Sequence, residues 1–132
     1  MSKAVIAVRV LLGVSFLVFG LNGFLHFFNP PPPEASAAAT FGAALFNSGY
    51  IFPLMSVVEI IVALMLIAGR FVPLALVLLA PILVNIVAFH VFLDMKGIGL
   101  GAFFMVLEIF LAWAYRDSFK QVLAMQAQPS VG

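Results

Sequence analysis

Four long apolar runs dominate the hydrophobicity pattern of this chain. They cover residues 4–25, 50–69, 71–93 and 98–115, and each contains between 18 and 23 residues. A helix rises about 1.5 Å per residue, so each run is long enough to cross roughly 30 Å of hydrocarbon. The pattern therefore predicts an all-α integral membrane protein, a four-helix bundle with spans at about 4–28, 50–69, 71–93 and 98–115.

The connections between these runs differ in length. Gly69 and Pro73 combine a helix-ending and a helix-starting residue in the second connection, so it is a tight turn between antiparallel neighbours. The first connection is longer and contains four prolines, Pro30 to Pro33, which end the first helix and favour an extended segment. Residues 34–48 are then typical of a short helix that lies in the interface or re-enters the bundle, as a lid, a plug or an anchor.

Composition supports the membrane assignment and bounds the chemistry. Of the 132 residues, 65% are hydrophobic and 8% are charged, which is far from the balance of a soluble domain. The length fits one membrane domain, residues 1–132, with a frayed tail at 117–132. The absence of cysteine excludes disulfides, thiolate metal sites and thiol-based redox chemistry. A net charge of +1 gives no sign of a nucleic-acid partner.

The cations are distributed unequally between the two ends of the predicted bundle. One end holds Lys3, Arg9, Arg70, Arg116 and Lys120, whereas the other holds only Lys96. The positive-inside rule therefore predicts an inner-membrane protein with both termini in the cytoplasm and the proline loop outside. A cleaved signal peptide is the alternative, because Ala35-Ser36-Ala37 imitates a cleavage site, but the first run is longer than a secretory h-region.

Five polar residues form a candidate ligand-binding layer near the outer boundary. Ionisable groups in hydrocarbon are costly, so each is a functional hypothesis. By their depth in the helices, the layer comprises Asn22, His26, Glu59, Asn85 and His90. One interpretation is a quinone held by one or both histidines with Glu59 as a proton carrier; a haem between the histidines is a second. A third is that these side chains only join helices.

Arg9 and Glu108 lie at matching depths near the cytoplasmic side. Both are charged groups within predicted spans, and small residues of the first helix, Gly13 and Gly20, lie near the face of Arg9. These positions predict a structural Arg9 to Glu108 ion pair inside the bundle. In the alternative, Arg9 extends toward phosphates and leaves Glu108 to act in proton movement.

Several phrases of the sequence resemble one family. Gly20-Leu21-Asn22-Gly23-Phe24-Leu25-His26-Phe27-Phe28, Val58-Glu59-Ile60 and Phe89-His90-Val91-Phe92-Leu93-Asp94 look like DoxX-like bacterial membrane proteins, as do Gly69-Arg70-Phe71-Val72-Pro73-Leu74 and Ala112-Trp113-Ala114-Tyr115-Arg116-Asp117. The similarity covers about residues 8–119. It implies a four-helix membrane fold and an association with membrane oxidoreductase complexes, and most members have no assigned reaction.

These observations together predict a quinone-contacting or accessory subunit of a membrane redox system. Its partners are then the lipid bilayer, a quinone or other small molecule, and redox-complex subunits. A module that binds or transports a small solute or protons is the competing hypothesis, with the proline loop as a gate. A structural or assembly subunit is the third. No metal site is predicted, and the sequence does not say whether the protein is an enzyme.

Overall fold

The computed structural model describes residues 2–27 and 34–131, and its regular structure is entirely helical. The α-helices are α1 (Lys3–Leu25), α2 (Ala37–Asn47), α3 (Ile51–Ala68), α4 (Val72–Phe92) and α5 (Ile98–Ala114), and two short 3-10 turns cover Met95–Gly97 and Arg116–Phe119. The extended segment predicted at Pro30 to Pro33 lies outside the described residues. Over the described ranges the all-α prediction is confirmed.

Four of these helices are long and apolar enough to cross a membrane. They are α1, α3, α4 and α5 together with the 3-10 turn that precedes it. Large apolar side chains such as Val14, Leu64, Val84 and Val106 are exposed on their outer faces. An exposed apolar surface of this extent requires lipid as its solvent. The prediction of a four-helix membrane bundle is therefore confirmed.

The four spans are arranged in a ring around one apolar core. α1 packs against α3 and α5, and α4 packs against the same two helices from the other side. Leucines and small residues at helical spacing form the centre of this core, for example Leu12 on α1, Leu66 on α3, Leu79 on α4 and Leu111 on α5, each fully buried. A single continuous core means that polar groups reaching it are shielded from water on all sides.

Glycines bring α1 and α3 into backbone contact. A Cβ added at Gly13 would lie 3.1 Å from the carbonyl oxygen of Ala63, and one at Gly20 would lie 3.1 Å from that of Ser56. The two glycines are seven residues apart, as are their two partners on the antiparallel helix. Small residues allow such close approach, and van der Waals contact between backbones then stabilises the helix pair within lipid.

The ends of the helices follow local sequence signals. Gly69 ends α3 in the left-handed conformation, with φ of 72°, and its amide donates to the carbonyl oxygen of Met65 at 2.9 Å. Pro73 lies in the first turn of α4. Ser36 caps α2 by accepting a hydrogen bond from the amide of Ala39 at 3.1 Å. These caps explain the tight second connection and the independent start of α2.

Candidate functional site

A cavity of about 460 Å³ lies between the spans at the end of the bundle where α1 and α4 end and α3 and α5 begin. Its walls are mainly aromatic and aliphatic side chains, and two ionisable groups reach it; the lining residues are Phe16, Phe19, Glu59, Ile86, His90, Gly97, Leu100, Gly101 and Phe104. A mostly apolar cavity with a few convergent polar groups, in the range of roughly 300–1,000 Å³, is typical of small-molecule sites.

Glu59 contributes a carboxyl group from the inward face of α3. The buried residues of this helix include Ser56, Glu59, Val62 and Leu66, which follow the helical period, so Glu59 lies on the stripe that faces the core. Its side chain is 5% exposed and lines the cavity. At this depth a carboxyl group needs either a proton or a partner, and a ligand entering the cavity can supply that partner.

His90 contributes an imidazole that is oriented by one hydrogen bond and one ring contact. Its Nδ1 lies 2.8 Å from the carbonyl oxygen of Ile86, one turn earlier on α4. Because a carbonyl oxygen only accepts, Nδ1 carries a proton, and Nε2 of the neutral ring is left as a hydrogen-bond acceptor. Phe89 packs against the ring in an edge geometry with centroids 5.2 Å apart.

Gly97 leaves the space that the imidazole occupies. A Cβ added at Gly97 would lie 2.6 Å from both Cδ2 and Nε2 of His90, and one at Gly101 would lie 3.2 Å from Cγ2 of Ile86. The two glycines therefore set the approach of α5 to the side chains of α4. Sequence reasoning missed the role of Gly97 in seating His90, because the sequence does not show which side chain faces a glycine.

Three aromatic side chains on the cavity lining pack against one another. Phe16 and Phe104 have ring centroids 5.3 Å apart, and Phe19 packs against both at 5.8 Å. Aromatic pairs prefer tilted and edge-to-face contacts of this kind. The cluster therefore supplies aromatic surface to a planar ligand in the cavity.

The remaining three members of the predicted polar layer do not line this cavity. His26 is an exposed residue that ends α1 in the left-handed conformation, and Asn22 is half-buried, its carbonyl oxygen accepting from the amide of His26 at 3.0 Å. Asn85 is exposed and donates from Nδ2 to the carbonyl oxygen of Pro81 at 2.9 Å. Asn85 therefore does not face the core of the bundle.

Arg9 and Glu108 do not form the predicted ion pair in the described part of the chain. Arg9 donates from Nη1 to the Tyr115 hydroxyl at 3.5 Å, and its guanidinium lies against Gly69 at the end of α3. Glu108 is buried on α5, and its Oε1 has no hydrogen-bond partner among residues 2–27 and 34–131. A long arginine reaches toward the nearer interface because its charge is better solvated there.

The cavity suits a quinone better than a haem, the two redox groups that the sequence suggested. A quinone needs an apolar cavity lined by aromatic rings and hydrogen-bonding groups for its oxygens. The cavity has such a lining, and Glu59 and His90 are hydrogen-bonding groups on it. Haem held by two histidines needs both imidazoles in one cavity, and His26 does not line the cavity of His90. Within the described ranges no three His, Asp or Glu side chains are grouped to hold a metal ion.

Comparisons with protein-family models, with curated proteins and with solved structures find no match to this chain.

Proposed function

We propose that this protein is a quinone-binding accessory subunit of a bacterial inner-membrane redox system. The observation that carries the proposal is the convergence of Glu59 and His90 on one cavity of about 460 Å³ with aromatic walls. A quinone headgroup is planar and largely apolar, with oxygens on opposite edges. Aromatic walls suit the ring, and the two ionisable groups suit the oxygens.

The two polar groups are complementary as hydrogen-bonding partners. Nε2 of a neutral His90 accepts, so it suits a quinol hydroxyl, whereas a protonated Glu59 donates to a quinone carbonyl. A carboxyl group and an imidazole can also exchange protons with a ligand whose oxygens gain or lose them. This chain has no cysteine and no grouped metal ligands among its described residues, so electrons would come from a partner subunit.

The resemblance to DoxX-like proteins supports the same proposal. That family is linked to membrane oxidoreductase complexes, and the phrases around Glu59 and His90 are among those that carry the resemblance. The cation distribution supports an inner-membrane location with both termini in the cytoplasm. The cavity then opens on the outer half of the bilayer.

Orientation is tested by labelling single cysteines, since the native chain has none and gives no background. A cysteine at Ser36 should react with a membrane-impermeant maleimide in intact cells, and one at Ser118 should react only after the membrane is opened. The reverse result would contradict the proposed orientation.

Ligand identity is tested on protein purified from bacterial membranes in mild detergent. Extraction with organic solvent and chromatography should recover quinone in near-stoichiometric amount from the wild type and much less from Glu59→Gln. The visible spectrum reports haem in the same sample. Protein that retains neither quinone nor a redox partner, while remaining folded, would contradict the proposal.

A proton- or solute-binding module is the second candidate function. The observation that favours it is Glu108, a second buried carboxyl group whose Oε1 is unpartnered among the described residues. Buried carboxyl groups in spans are recurrent parts of proton paths. In liposomes with a pH-sensitive dye inside, this function predicts proton uptake that Glu108→Gln abolishes, with or without quinone present.

A further inference from the structure

A second concave site lies outside the quinone cavity, between α2 and the end of α4. It is a groove of about 410 Å³, and it is lined by Ala38, Ala39, Gly42, Ala43, Phe46, Asn47, Phe89 and Asp94. Alanines, Gly42, Phe46 and Asn47 form the α2 side, whereas Phe89 of α4 and Asp94, just beyond that helix, form the other side. No part of this groove is shared with the cavity of Glu59 and His90.

The helix α2 spans this groove without filling it. None of its residues is buried, and a Cβ added at Gly42 would meet no atom within 4 Å. Its contact with α4 is at one edge, where the rings of Phe41 and Phe89 lie 5.9 Å apart. α2 therefore contacts α3 and, through the rings of Phe41 and Phe89, α4, and it leaves an apolar groove beneath its small-residue face.

Asp94 gives one end of this groove a negative charge. The residue is half-buried, and its side chain makes no hydrogen bond or ion pair with residues 2–27 or 34–131. It lies two residues beyond Phe92, the last residue of α4. The only other polar side chain on the lining is the neutral Asn47. An occupant that satisfies both features has an apolar tail and a cationic head.

Two other classes of occupant, a divalent cation and a transmembrane helix, do not fit this groove. One carboxylate is too few oxygen ligands for a divalent cation. A volume of about 410 Å³ is too small for a partner's transmembrane helix, which is about 10 Å wide along its whole length. A lipid acyl chain is narrow and flexible enough to enter between Phe46 and Phe89, and every lipid in the bilayer has access to the groove.

We propose that this groove is a binding site for phosphatidylethanolamine. Its primary ammonium group donates hydrogen bonds to the Asp94 carboxylate, and one acyl chain lies along Gly42 beneath α2. The ammonium group has three N–H donors, as a lysine does, whereas the quaternary ammonium of phosphatidylcholine has none. Lys96, exposed two residues further on, carries a charge of the sign that a lipid phosphate prefers.

Native mass spectrometry of delipidated protein tests this site. Equimolar phosphatidylethanolamine, phosphatidylcholine and phosphatidylglycerol with identical acyl chains are added, and the bound lipid is counted. The wild type should retain phosphatidylethanolamine over each competitor by roughly tenfold, equivalent to about 1.4 kcal/mol. Asp94→Asn should bind the ethanolamine and choline lipids equally, because it removes the charge and leaves the apolar groove.

A variant that fills the groove tests the contact with the acyl chain separately from the contact with the headgroup. Gly42→Leu places a side chain in the groove and should abolish lipid retention, whereas Gly99→Leu, at another position with no atom within 4 Å of an added Cβ, should not. Equal binding of the choline lipid to the wild type, stronger binding of phosphatidylglycerol, or an unchanged preference in Asp94→Asn would each overturn the proposal. Asp94→Asn leaves all packing in place, so its result stands even where Gly42→Leu disturbs folding.

Discussion

The α1–α3 interface and the α4–α5 interface both depend on glycine, but to opposite effect. At Gly13 and Gly20 the missing side chain lets one helix touch the backbone of the other, and no space remains. At Gly97 and Gly101 the missing side chain makes room for side chains of α4, with the imidazole of His90 against Gly97. The first arrangement stabilises the bundle, whereas the second forms a wall of the cavity that Glu59 and His90 line.

This contrast shows why residue type alone does not assign a role to a glycine within a membrane span. What decides the role is the neighbour that an added Cβ would meet. A backbone carbonyl oxygen cannot move without shifting its helix, so a side chain there separates two helices. An imidazole can rotate or be displaced, so a side chain there changes the site and leaves most of the bundle intact.

Gly20→Ala should produce the largest loss of stability. The new Cβ would lie 2.8 Å from Cγ1 of Ile60 and 3.1 Å from the carbonyl oxygen of Ser56. Overpacking of this kind costs about 1–3 kcal/mol, so the free energy of unfolding in detergent should fall by that amount. Gly99→Ala is the matched control, because no atom lies within 4 Å of its added Cβ. Equal unfolding curves for the two variants would show that α1 and α3 are not in backbone contact.

Gly97→Ala should act on the site more than on the fold. The added methyl group would displace the ring edge of His90, so binding of a short-chain quinone should weaken by roughly tenfold, or about 1.4 kcal/mol. The change in melting temperature on titration with the quinone measures this loss. Gly99→Ala should bind as the wild type does. Unaltered affinity in Gly97→Ala would show that Gly97 does not shape the binding site.

A smaller effect on the free energy of unfolding shows whether Arg9 interacts with Tyr115 or with Glu108. The hydrogen bond to Tyr115 predicts that Arg9→Gln and Tyr115→Phe are coupled, by about 0.5–1 kcal/mol in a double-mutant cycle of unfolding free energies. Arg9→Gln and Glu108→Gln should be additive, since no ion pair joins them among the described residues. Strong coupling between Arg9 and Glu108 would restore the ion pair that the sequence predicts.

The sequence predicts the fold of this protein well for a physical reason. Within lipid a spanning segment must satisfy its backbone groups in a helix or a closed barrel, and continuous apolar runs of about 20 residues suit only the helix. The same logic identified Glu59 and His90, because ionisable groups are rare in spans and stand out from their surroundings. Their convergence on one cavity depends on how all four spanning helices pack together, which one sequence does not give.

Asn85 shows where prediction from sequence failed. Because α4 is apolar on every side, the sequence indicates how deep Asn85 lies along the helix axis. It does not indicate which face of α4 turns toward the core. The structure buries Val72, Leu79 and Leu83, and at about 100° per residue His90 continues that stripe while Asn85 falls on the opposite face. The Nδ2 bond to Pro81 then partly satisfies the amide within its own helix.

The most direct test of the account compares quinone binding by three variants of the polar residues. Isothermal titration of detergent-solubilised protein with a short-chain quinone should give one site per chain in the wild type. Glu59→Gln and His90→Ala should each weaken it by at least roughly tenfold. Asn85→Ala, on the lipid-facing side of α4, should leave it unchanged. Equal affinities in all four proteins, or a loss in Asn85→Ala alone, would contradict the claim that Glu59 and His90 form one ligand site.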